Sequence, residues 1–201
     1  MEYVLAMSDN FTRSSMSMMS IAHRLTSAML EGNASLEQTV ARLLDLDAWV
    51  DAALRSNATA RRLSKIQGAN MLSLVKSGDM LGGKEVACAL IKMLHDHARC
   101  NRTSGHASIV QSVIFCCCGL SETESRTMSL FLLARGLLSA AVRLNAQGPM
   151  AAFSQLCQVE PCIDDLVNKF QGILPLSVSS YPILDLLQEM HPRLYSKMFQ
   201  G

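Results

Sequence analysis

The stretch Ser35-Leu-Glu-Gln38 limits what this chain can fold into more than any other. A hydroxyl followed three residues later by an amide is a capping box: the side chain at the N-cap accepts a backbone N–H that the new helix leaves unpaired. Leu36, Val40, Leu43, Val50 and Leu54 then recur at a helical period for roughly five turns. A second box, Ser121-Glu-Thr-Glu124, predicts another long helix, with Met128, Phe131, Leu132, Leu138 and Val142 on its buried stripe. Gly148-Pro149 stops that helix and opens the next. No run alternates with period two long enough to make a strand.

The remaining punctuation fits the same class. A helix capped near Ser56 or Asn57 runs to Gly78, with Gly68 inside it. A glycine within a helix costs about 1 kcal/mol relative to alanine, so it marks a close helix approach. Further helices are predicted over 83–97, 106–118, 149–159 and 161–172, and a short one at Ile183-Leu-Asp-Leu-Leu-Gln-Glu-Met190. The expected fold is all-α: a single-domain bundle of about seven to nine helices. Residues 1–34 form a divergent N-terminal segment, and residues 35–201 form the helical domain with a tail at 191–201.

The chain is 49% hydrophobic but only 5% aromatic, so its core is built from Leu, Ala, Val and Met. Its net charge of +1 offers no electrostatic footprint for nucleic acid or an anionic membrane surface. The start, Met-Glu-Tyr-Val-Leu-Ala-Met-Ser-Asp-Asn-Phe-Thr-Arg, lacks the pattern of a secretory signal. The longest apolar run, Val113 to Leu120, is too short to span a bilayer. The expectation is a cytoplasmic protein with seven reduced cysteines.

Catalytic motifs are not found. "SGDMLGGKE" lacks the Gly-Lys-Ser/Thr ending of a phosphate loop, and no nucleophile elbow or catalytic carboxylate pair is present. His95, His97, Cys100 and His106 are ligand types that zinc or nickel takes, and a loop could gather them; a small metal-binding protein is therefore the alternative reading. Cys116 to Cys118 are consecutive and cannot converge on one ion, so they read as small buried apolar side chains. Arg135, Ser139 and Arg143 fall at i, i+4 and i+8, a polar line on one helix beside Ala140 and Ala141. Arg143 is expected to place its guanidinium fork in a packed or interface setting, and Arg126, in the first turn after a cap, to be solvated.

Four stretches together resemble one family. "LLSAAVRLNAQGPM" (137–150) is similar to the signature helix of the UreF urease accessory proteins, especially eukaryotic members. "HASIVQSVIFCCCGLSETES" (106–125), "RSNATARRLSKIQGANML" (55–72) and "MHPRLYSKMFQ" (190–200) match further family segments in order. The resemblance covers roughly residues 36–201. It implies an all-α, non-catalytic partner in loading nickel into urease. Such proteins dimerise, bind the scaffold UreD (also called UreH), recruit and regulate the GTPase UreG, and act on urease apoprotein. It carries partner-binding or structural roles onto Gln67, Gly68, His106, Arg135, Ser139, Arg143, Gly148, His191, Tyr195, Lys197 and Phe199, with no catalytic residue and no metal or cofactor held directly. The sequence departs from the family pattern before Ser35, at Ser112 where glycine is usual, and at Lys197 where arginine is usual.

Overall fold

Ser35 caps its helix as its position demands: its hydroxyl accepts the Gln38 N–H at 3.2 Å. In this computed structural model, which describes residues 2–11, 15–77, 80–169, 182–190 and 193, the helix it opens is α3, Leu36–Ala53. Ahead of it lie α1, Glu2–Phe11, and α2, Ser17–Leu30. After it come α4, Ala58–Ser77; α5, Glu85–Arg99; α6, Ala107–Cys118; α7, Glu122–Arg143; α8, Pro149–Lys169; and α9, Pro182–Met190. The nine α-helices, with no strand among the described residues, give the expected all-α class and fall within the expected number.

The helices divide between two compact units, each with its own apolar core. The first draws on residues 1–17 and 123–181, and packs Val4 and Met16 with Leu130, Ala134, Leu138, Val159, Ile163 and Val167. The second draws on residues 18–122 and 182–201, and centres on Leu43, Leu72, Leu90, Ile91 and Val113. Residues before Ser35 contribute to both: Met18, Ala22 and Met29 of α2 lie in the second core. In that unit α4 packs most extensively on α6. Ser112 of α6 is buried and donates its hydroxyl to the Met19 carbonyl of α2, so this small residue both admits the neighbouring helix and bonds to it.

Three expectations are corrected. The helices predicted over 149–159 and 161–172 are one, α8, with Pro161 inside it. Val159, Ile163 and Val167 are buried in one core on both sides of the proline, and Pro161 itself is exposed, so water can take the carbonyl its missing N–H leaves free. The buried face of α7 is the row Arg126, Leu130, Ala134 and Leu138 with Ser125 and Ser129; Met128 and Leu132 of the expected stripe are 40% and 38% exposed. Apolar residues occur on several faces of α7, and packing selected the row that carries Leu130, Ala134 and Leu138. Cys116 and Cys117 are buried but Cys118 is exposed, because three successive helical residues cannot share one face. Burial pushes the Cys116 thiol to about 11 and Cys117 to about 12. No helix among the described residues is long and apolar enough to cross a membrane.

Candidate functional site

Asp47 falls one turn after Leu43 and one before Val50, on the buried face of α3, and is 3% exposed. A carboxylate there must have its lone pairs bonded, because burial removes it from water. The loop leading into α6 supplies the donors. The backbone N–H groups of Ser104, Gly105 and His106 donate to Asp47 at 2.8, 2.9 and 2.7 Å, and the Thr103 hydroxyl adds a fourth bond. One turn further along α3, Asp51 accepts both branches of the Arg61 guanidinium at 2.8 and 2.6 Å, and the Lys65 ammonium at 2.8 Å. The Ser104 hydroxyl also donates to Asp51 at 2.8 Å. These donors, Arg61 first, hold the Asp51 carboxyl well below the usual carboxylate range.

His106 closes the network and is fully buried. Its Nδ1 lies 3.1 Å from the Ser64 hydroxyl and its Nε2 3.1 Å from Asp51. The Ser64 oxygen also accepts the Ala107 N–H at 3.1 Å, which leaves the hydroxyl hydrogen to donate to Nδ1. Nε2–H then donates to Asp51, and the imidazole is neutral in this tautomer, an assignment made from the hydrogen-bond pattern. Burial keeps its pKa below the ordinary histidine value against the pull of Asp47 and Asp51.

Gly68 explains how the loop comes so close. A Cβ at Gly68 would stand 1.8 Å from the Gly105 carbonyl oxygen, so only bare backbone fits. Gly105 itself has φ +64°, which its lack of a side chain allows. The arrangement ties α3, α4 and the start of α6 together. Both carboxylates and both ring nitrogens are engaged within the chain, so it fixes a surface and presents no reacting group.

Of the residues singled out by sequence, this node brings together Gly68 and His106, with Gln67 exposed beside them on α4. Arg135, Ser139 and Arg143 lie along α7 in the other unit. Arg135 and Arg143 are exposed, and Arg143 donates to Ser139 Oγ at 3.1 Å. Arg126, expected to be solvated, is instead 8% exposed, because it falls on the buried row of α7, and Arg143 lies outside that row. Gly148 is exposed just before α8. His191, Tyr195, Lys197 and Phe199 lie outside the described residues.

The four candidate metal ligands do not gather. His95 Nδ1 is 3.1 Å from Lys76 Nζ and 3.4 Å from Asp96, whereas His106 is taken up by Ser64 and Asp51. Among the described residues no three His, Cys, Asp or Glu side chains are grouped to hold a metal. Sequence reading missed Asp47, Asp51, Ser64, Arg61 and Lys65. The available signal was an aspartate in phase with Leu43 and Val50, since an acid inside an apolar stripe requires donors from elsewhere.

Comparison with known proteins adds the family. The UreF family model matches residues 1–160, a span that takes in the segment before Ser35 and stops short of the tail. Urease accessory protein 6 of Cryptococcus neoformans is 33% identical over 145 residues, which are 62% of this chain and 45% of that protein. Urease accessory protein F of Oryza sativa subsp. japonica is 32% identical over 161 residues, 77% of this chain and 57% of that one. Its Arabidopsis thaliana counterpart is 36% identical over 90 residues, 41% of this chain and 36% of that protein. The chain spans about half the length of the first two relatives. No solved structure matches it. With all-α architecture, and with a glycine and a histidine of two family-like segments meeting at one buried node, the chain belongs to the UreF family.

Proposed function

We propose that this chain is a non-catalytic accessory of urease maturation in the cytoplasm. In this reading it bridges the UreD (UreH) scaffold and the UreG GTPase as a homodimer, regulates GTP hydrolysis, and so helps nickel reach urease apoprotein. Nickel is cargo of the whole complex and not a cofactor of this chain. The observation that carries the reading is the family match over residues 1–160. The surface agrees with a partner-binding role. Helix α9 is attached to α4 through its polar side, where Asn57 donates to Gln188 at 3.0 Å and the Thr59 N–H to Glu189 at 3.2 Å. Its Ile183, Leu186, Leu187 and Met190, at i, i+3, i+4 and i+7, are 55–72% exposed. That spacing is the anchor pattern of a helix laid into a partner's groove.

Co-expression with UreD and UreG from the same source, followed by sizing chromatography and a GTP-hydrolysis assay, tests it. A co-eluting three-protein assembly with an altered hydrolysis rate is expected. A chain that captures neither partner and leaves the rate unchanged removes the reading.

A further inference from the structure

We draw no further inference here: the strongest candidate, the exposed stripe along α7 on which Met128, Leu132, Arg135 and Arg143 follow one another, is a solvent-facing helix surface, and nothing in the structure shows what covers it.

Discussion

The Asp47–His106 node and the Arg135–Arg143 line are both built from polar residues on helices, yet they have opposite fates. At the node, every bond runs to another part of the chain: the loop over 103–107 donates to α3, while α4 supplies Ser64, Arg61, Lys65 and the bare backbone of Gly68. On α7, two arginines eight residues apart point to solvent, and Arg143 bonds locally to Ser139. Polar residues inside a unit become architecture because burial forces them to find partners. Polar residues on its outside keep water as a partner and need no such network. The family-like residues of this chain are therefore of two kinds, and mutation should separate them.

The largest separation is expected at Asp47. Asp47→Ala strands three backbone N–H groups, those of Gly105 and His106 buried, and should cost about 3–5 kcal/mol, enough to unfold the unit in thermal or urea denaturation. Ser139→Ala on the exposed line should change stability by less than about 0.5 kcal/mol. Equal losses for the two would erase the contrast.

Two glycines sharpen it. Gly68→Ala drives a methyl into the Gly105 carbonyl and should cost on the order of 3 kcal/mol. Gly136→Ala on α7 meets nothing within 4 Å and should stabilise the helix by about 0.5–1 kcal/mol. A Gly68→Ala chain that melts with the parent would show that the loop can lift away without loss.

Within α7 itself, Arg126→Ala should destabilise by about 2 kcal/mol, since Arg126 lies on the buried row. Arg143→Ala should stay within about 0.5 kcal/mol, while weakening capture of whichever partner reads the exposed line. Chemical denaturation of both variants, paired with the co-elution assay, distinguishes a structural arginine from a contact arginine.

The smallest effect is in pH. His106 is held below its unfolded value near 6.5, so its contribution is complete above that pH and declines as pH falls through it. Asp51 is held below its unfolded value near 3.8, so its contribution persists to lower pH and is lost as pH falls through that value. His106→Gln should flatten the stability profile just below about pH 6.5 and leave the lower acid limb in place. A variant with the parent's slope in that window would mean His106 does not titrate with folding.

Periodicity and capping determined much of this protein without help. Ser35, Asn57 and Gly68 announced two helices and a close approach, because N-caps and mid-helix glycines act through local geometry that a single strand of sequence contains. The apolar phase of Val40, Leu43 and Val50 likewise depends only on the helical repeat. Tertiary structure alone decided which face of α7 turns inward, because its apolar residues surround the helix and only packing could choose the row ending at Leu138. It alone carried α8 through Pro161, since burial of Val159, Ile163 and Val167 in one core outweighs a lost hydrogen bond on the exposed side. And it alone gave Asp47 its donors, because a loop 56 to 59 residues away in sequence is invisible to any local pattern. Local rules reach one turn of helix; the partners of a buried charge are set by the folding of the whole unit.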